Sequence, residues 1–163
     1  MTWIKRHFLR HLDRQPWAFC WRIGVESTVV SLLAAAVLVT LLGTNEREFM
    51  DYSMAKVFCL LLLIGPPIET FLLQAIPVFI VRILKGSFRI QVLVSAIVFA
   101  AVHFPDGIAV GVSAGIVGGF YFGLAYAHWR RKSRWQSFWI TTLIHAIHNG
   151  IAFLLLLIFG HWA

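Results

Sequence analysis

The sequence predicts an all-α fold, a polytopic bundle of about five transmembrane helices with the N-terminus in the cytoplasm. Three observations predict this fold and orientation: the composition of the chain, the length of its apolar runs and the signs of its loop charges. Of the 163 residues, 60% are hydrophobic and 13% are charged, which is typical of membrane proteins and excludes a water-soluble globule. No linker or low-complexity stretch divides the chain, so we expect residues 1–163 to form a single membrane domain.

Five apolar runs are long enough to cross a hydrocarbon core, which is about 30 Å thick and needs about 20 helical residues. They cover residues 24–43, 57–81, 89–105, 107–127 and 136–159. The first run follows a basic segment, as in a signal peptide, but it is longer than the about 7–15 apolar residues of a signal peptide and no small-residue cleavage site follows it. We therefore expect all five runs to remain as spans.

The loops between these runs alternate in charge. Twelve of the 14 lysines and arginines lie in residues 1–22, 82–89 and 128–135. The other side carries two basic residues beside four acidic ones, namely Arg47, Lys56, Glu46, Glu48, Asp51 and Asp106. The positive-inside rule therefore predicts a cytoplasmic N-terminus and an external C-terminus. The net charge of +7 needs no nucleic-acid partner, because the basic residues sit in short loops.

Residues 1–22 combine basic side chains with aromatic and aliphatic ones. This composition suits a basic helix that lies in the cytoplasmic interface. It suits a plain juxtamembrane segment equally well, and both interpretations stay open.

Glycines recur at every fourth position of the fourth run. They are Gly107, Gly111, Gly115, Gly119 and Gly123. This spacing places them along one side of a helix, where the missing side chains allow another helix backbone to approach closely in lipid. We expect them to pack against a helix of the protein itself; docking of a substrate's transmembrane helix is the alternative.

Polar side chains inside the second run indicate a functional site. A charged side chain at membrane depth costs about 2.5–3.5 kcal/mol on insertion scales, so it needs a functional reason. Pro66 and Pro67 should start a fresh helical segment, with Glu69 in its first turn and near mid-membrane. Thr70 and Gln74 are four residues apart and can hydrogen-bond to each other or to a neighbour.

The third and fifth runs supply histidines and an asparagine. His103 lies one turn beyond Phe99, near the end of the third run, where it could simply reach the interface. His145 and Asn149 lie four apart on one side of the fifth run, with His148 beside them. Such groups in the middle of an apolar helix need polar partners. We therefore select Glu69, His103, His145 and Asn149 as candidate site residues.

These residues resemble the pattern of the CAAX-protease and bacteriocin-processing family of glutamate-type intramembrane proteases. That pattern is E-E-x-x-x-R on one helix, F-x-x-x-H on the next, and H-x-x-x-N or H-x-x-x-D on a later one. The chain has E-T-F-L-L-Q from Glu69, F-A-A-V-H from Phe99 and H-A-I-H-N from His145, in the same order. The resemblance covers residues 57–159, which it implies are a protease-like core.

The first motif departs from the family pattern at two positions. Thr70 stands in place of the second glutamate and Gln74 in place of the arginine, a form similar to that of a myxosortase-like branch. Both members of a plausible ion pair are thus replaced by neutral residues, which leaves no lone buried charge. The departure bears on the substrate class more than on catalysis.

The resemblance implies an endopeptidase in the prokaryotic cell membrane that cleaves a membrane-anchored protein or peptide near its C-terminus, without a cofactor. It implies that Glu69, assisted by His103, activates the attacking water. It also implies that His145 and Asn149 hydrogen-bond to the developing oxyanion.

Three other interpretations stay open. Glu69, His103 and His145 could bind zinc, although the chain has no H-E-x-x-H spacing. The same groups could form a proton or ion relay in a small carrier, although the chain lacks the inverted halves of many carriers. The fold could also serve as a catalytically silent scaffold or a bacteriocin-immunity protein.

Overall fold

The computed structural model describes residues 15–43 and 53–159, which form five long helices and no strand. The helices are α1 (Pro16–Leu42), α2 (Met54–Ile83), α3 (Phe88–Asp106), α4 (Ile108–Trp129) and α5 (Arg134–Phe159). Each is long and apolar enough to cross a membrane. The predicted all-α bundle of about five spans is therefore confirmed, while the cytoplasmic position of the N-terminus stays a prediction.

The first helix begins earlier than the sequence predicted. α1 starts at Pro16, because proline is well suited to the first turn of a helix, and residues 16–22 are continuous with the helix of the first apolar run. Phe19 is buried, with its ring 6.2 Å from that of His128 and 5.7 Å from that of Trp129, and this packing draws the segment into the bundle. Residues 1–14 and the charged loop 44–52 lie outside the described residues.

α5 packs against α1, α2 and α4, while α3 packs against α2 and α4. The largest fully buried side chains of the core are Phe19, Phe99 and Phe122, which lie where these helices meet. α1 approaches α5 at Gly24, where an added Cβ would lie 2.7 Å from Ile147 Cγ2. Many large apolar side chains remain exposed on the outside of the bundle, as lipid requires.

Four glycines of α4, Gly111, Gly115, Gly119 and Gly123, form a strip that we call the glycine face, and it lies against α3. An added Cβ would lie 2.9 Å from Ala100 Cα at Gly115 and 2.9 Å from Phe99 Cβ at Gly119. Gly107 does not extend this strip. It lies in the turn between α3 and α4 with a φ of +110°, a backbone region that favours glycine.

Three stretches of these helices are π-helical, so their backbone hydrogen bonds close a wider turn than in an α-helix. They are Cys59–Ile64 and Thr70–Ala75 in α2, and Gly111–Gly118 in α4. In each stretch one carbonyl accepts a hydrogen bond from a side chain of another helix. The pairs are Asn149 Nδ2 with Leu61 O (2.9 Å), Ser95 Oγ with Leu73 O (3.1 Å) and Ser31 Oγ with Ser113 O (2.7 Å).

A proline explains the free carbonyl of Leu61 in α2. Pro66 occupies the position whose N–H would bond to that carbonyl in a π-helix, and proline has no N–H. Because lipid offers no replacement donor, the Asn149 side chain of α5 supplies it.

Candidate active site

Glu69 lies about midway along α2, between its two π-helical stretches. As predicted, an α-helical segment begins at the prolines, which occupy its first positions. It continues a longer helix without a break, because the Gly65 N–H donates to the Leu60 carbonyl. Glu69 is the last residue of the α-helical turn Gly65–Glu69, and so it does not sit at a free helix N-terminus.

The Glu69 carboxylate lies between two imidazole rings. Its Oε2 is 3.9 Å from Nε2 of His103 and 3.7 Å from Nε2 of His145. These three side chains come from α2, α3 and α5, and the fold brings them to a single point. Both distances exceed those of a direct hydrogen bond. The Glu69 side chain is 33% exposed and that of His145 only 4%, but Oε2 of Glu69, the oxygen that faces both rings, is itself buried.

His103 makes two contacts with Phe99, one turn earlier in α3: a hydrogen bond to its carbonyl and a stack on its ring. Its Nδ1 lies 2.9 Å from the Phe99 carbonyl, which can only accept, so we infer that Nδ1 carries the proton. The two rings are stacked, with centroids 4.5 Å apart and 13° between their planes. When the imidazole is neutral, this tautomer turns an unprotonated Nε2 toward Glu69. His103 faces the interior of the bundle rather than the membrane interface.

His145 lies deeper than His103 and is surrounded by aromatic rings. Its imidazole stacks on Phe122 with centroids 4.4 Å apart, and Phe99 meets it edge-on at 5.7 Å. Its Nδ1 is buried and has no hydrogen-bond partner among the residues that the structure describes. Polar contacts of this ring are therefore confined to Nε2, the atom that faces Glu69.

Asn149, the fourth candidate, joins α5 to the first π-helical stretch of α2. Its Nδ2 donates one hydrogen to the Leu61 carbonyl at 2.9 Å. An amide nitrogen carries two hydrogens, so a second one remains for another acceptor. Asn149 therefore combines a structural bond with a free donor.

A cavity of about 290 Å³ joins all four candidate residues. Its lining also includes Leu61, Val102, Asp106 and Ala114, all of which lie on the side of Glu69 that faces the α3–α4 turn. The cavity thus extends away from the basic loops 84–87 and 130–133. Within the described ranges, no three His, Cys, Asp or Glu side chains form a group placed to hold a metal ion, including the three predicted zinc ligands.

His148 lines the same cavity, although sequence reasoning did not select it. Its Nδ1 lies 2.9 Å from Ser27 Oγ, and the Ser27 hydroxyl donates to the Gly24 carbonyl at 2.8 Å. Because that hydroxyl has only one hydrogen, it must accept from Nδ1 of neutral His148. The buried hydroxyls of α1 at Ser27, Thr28 and Ser31 were the available signal, since they mark a polar strip inside an apolar helix.

Thr70 and Gln74 are fully buried, and their side chains make no hydrogen bond to the described part of the chain. The predicted bond between them, or to a neighbour, is therefore wrong. Residues four apart face each other on an α-helix, but Thr70–Ala75 is π-helical and its wider turn separates them.

A family model described as type II CAAX prenyl endopeptidase Rce1-like matches residues 51–151. The match covers more than half of the chain and includes all four candidate residues. Comparisons with curated proteins and with solved structures found no match.

Proposed function

From the premise that the chain belongs to the Rce1-like family of type II CAAX prenyl endopeptidases, we propose that it is a glutamate-dependent intramembrane endopeptidase. It is an integral membrane protein, and its substrate is a membrane-anchored protein or peptide that it cleaves near the C-terminus. The observation that carries the proposal is the position of Glu69 Oε2, within 4 Å of an imidazole nitrogen from each of two other helices.

Glu69 and His103 supply the general base. The carboxylate oxygen of Glu69 and, in the Nδ1–H tautomer, the Nε2 of His103 are both hydrogen-bond acceptors, and they lie 3.9 Å apart. Two converging acceptors suit a water molecule, which donates one hydrogen to each. Transfer of a proton from that water to the carboxylate produces the hydroxide that attacks the scissile carbonyl, and general-base catalysis of this kind contributes about 10²–10⁴ in rate.

His145 and Asn149 supply the donors for the oxyanion. With Nδ1 of His145 buried among aromatic rings, a proton on Nε2 places its hydrogen-bond donor in the cavity. Asn149 lines the same cavity, and its second amide hydrogen is available as a donor there. Donors fixed by the protein before the reaction stabilise the developing charge without reorganisation.

The glycine face sets the position of His103 within this site. An added Cβ at Gly115 would lie 3.2 Å from His103 Cβ, so the absence of side chains on α4 allows α3 to bring its histidine toward Glu69. Close helix packing through these glycines therefore supports catalysis without contributing a reacting group.

The cavity favours a substrate that enters from the face opposite the basic loops. Asp106 and Val102 line its end near the α3–α4 turn. The positive-inside rule predicts that this end is external, in what we expect to be a prokaryotic cell membrane. The predicted substrate therefore presents its scissile bond on the external side of a C-terminal membrane anchor, rather than on a cytoplasmic prenylated tail.

Cleavage of a membrane-anchored reporter by the reconstituted full chain tests the proposal, with the new C-terminus read by mass spectrometry. Glu69→Gln should lower the rate by about 10²–10⁴ because an amide is no base. Glu26→Gln is the matched control, since Glu26 is a membrane carboxylate that accepts from the Tyr121 hydroxyl at 2.8 Å, away from the cavity. Equal rates for wild type and Glu69→Gln would contradict the proposal, and activity lost to a chelator and restored by zinc would favour a metal site.

A further inference from the structure

Three arginines gather at the end of the bundle that carries the basic loops. Arg82 lies at the end of α2, Arg130 directly follows α4 and Arg134 begins α5, and we call these three the arginine cluster. Partial burial and the positive charges of Arg82 and Arg134 lower the pKa of Arg130 below its ordinary value. In the part of the chain that the structure describes, no carboxylate forms an ion pair with any of the three. Among residues 15–43 and 53–159, the cluster therefore has no carboxylate as a counter-charge.

Arg130 and Arg134 lie at one end of an open groove of about 340 Å³ between α2, α4 and α5. The wall contributed by α2 is apolar, and its Phe71 and Phe79 are half exposed on the outside of the bundle. Tyr126 also lines the groove; its side chain is buried, and its hydroxyl makes no hydrogen bond to a described residue. The groove thus combines a lipid-facing apolar wall with positive charge at one end.

We propose that this groove binds an anionic phospholipid, with the phosphate at the arginine cluster and an acyl chain along the apolar wall. Guanidinium groups match phosphate oxygens in charge and in bidentate geometry. The wall from Phe71 to Phe79 extends along α2 for about 12 Å, which suits a chain rather than a compact ligand. The predicted topology places the arginine cluster in the cytoplasmic leaflet. In that leaflet, basic pockets between transmembrane helices bind the headgroups of anionic lipids.

The arginine cluster is too far from the candidate active site to hold the carboxylate of a substrate during cleavage. Arg82 lies roughly 20 Å along α2 from Glu69, at about 1.5 Å per residue. A C-terminal carboxylate a few residues from the scissile bond does not span that distance. The lipid site is therefore separate from the cavity, and its test is independent of proteolysis.

Native mass spectrometry of the full chain in neutral detergent tests this proposal, with titrations of dioleoyl phosphatidylglycerol and of dioleoyl phosphatidylcholine. Wild type should prefer phosphatidylglycerol, and Arg130→Gln should weaken that binding about tenfold, as expected for the loss of a charge-assisted hydrogen bond. Arg131→Gln is the matched control, because Arg131 is an exposed arginine of the same turn outside the groove. Arg131→Gln should weaken phosphatidylglycerol binding by less than about fivefold, which is the contribution of a single basic residue near a membrane surface.

An equal loss of phosphatidylglycerol affinity in Arg130→Gln and Arg131→Gln would overturn the proposal. The lipid would then be attracted by the basic surface as a whole and not by the groove. Inorganic phosphate that displaces the lipid at equal concentration would also overturn it, since the apolar wall would contribute nothing. Arg134→Gln, at an exposed position, is the second variant if Arg130→Gln unfolds. It too should bind phosphatidylglycerol about tenfold more weakly than wild type.

Discussion

Replacing Asn149 by alanine removes one hydrogen bond that the structure shows and one that the proposed mechanism requires, and the two losses differ in magnitude. The first is the bond from Nδ2 to the Leu61 carbonyl, 2.9 Å long. No backbone donor takes its place, because the Gly65 N–H bonds to Leu60 and Pro66 has none. Leaving a buried carbonyl unsatisfied costs about 1–3 kcal/mol, and interhelical bonds in membranes fall at the low end of that range. We expect Asn149→Ala to lose about 1–2 kcal/mol of stability.

The second interaction is the proposed hydrogen bond from Asn149 to the oxyanion. Loss of one such donor lowers kcat by about 10²–10³. The stability loss does not explain a decrease of that size, because a protein with about 5–15 kcal/mol of stability remains folded after losing 1–2 kcal/mol. The rate effect should therefore exceed any effect of partial unfolding.

A double variant separates the two roles. Pro66→Ala returns an N–H beside the Leu61 carbonyl, so Pro66→Ala/Asn149→Ala should regain about half or more of the stability lost in Asn149→Ala. Its activity should stay low, because no donor to the oxyanion returns. Thermal unfolding and reporter cleavage are measured for the double variant, both single variants and wild type.

Recovery of both stability and activity in the double variant Pro66→Ala/Asn149→Ala would refute this reasoning. Asn149 would then act only by holding α2 and Glu69 in place, and the oxyanion would need another donor. Unchanged stability in Asn149→Ala would instead show that the Leu61 carbonyl finds a replacement donor when the amide is removed.

Two further predictions concern packing and buried hydrogen bonds. Gly119→Ala should lower stability by about 1–3 kcal/mol, because its methyl would meet Phe99 Cβ at 2.9 Å. The control Gly150→Ala, whose nearest contact would be 3.6 Å, should be neutral or stabilising by about 0.5–1 kcal/mol in thermal unfolding, and equal losses in both would contradict the packing argument. Ser27→Ala should cost about 1–2 kcal/mol, because it leaves the buried N–H of His148 without its acceptor, and an unchanged midpoint would contradict the inferred tautomer.

The number of spans follows from the sequence because each apolar run is long enough to cross a bilayer by itself. The start of α1 at Pro16 has a local signal, since proline favours the first turn of a helix, but hydropathy alone predicts a later start. The packing of Phe19 against the end of α4 joins residues that are remote in sequence, and no local pattern encodes that contact.

Glu69, His103 and His145 could be selected from the sequence because ionisable groups are rare and costly in apolar helices. The residues that pack against these three could not be selected in the same way. In the sequence, Phe122 is one apolar residue among many, and only the fold shows that its ring stacks on His145. The π-helical turns likewise depend on side chains from neighbouring helices, so the separation of Thr70 from Gln74 was not predictable from their spacing.

A feature of α4 offers a way to tune the site without touching a reacting group. The Cβ missing at Gly115 would lie 3.2 Å from Cβ of His103, whose Nε2 stands 3.9 Å from Glu69. The methyl group of a Gly115→Ala variant would also lie 2.9 Å from Ala100 Cα, so α3 or α4 would have to shift to accommodate it. A helix that supplies none of the four candidate residues therefore constrains where His103 lies relative to Glu69.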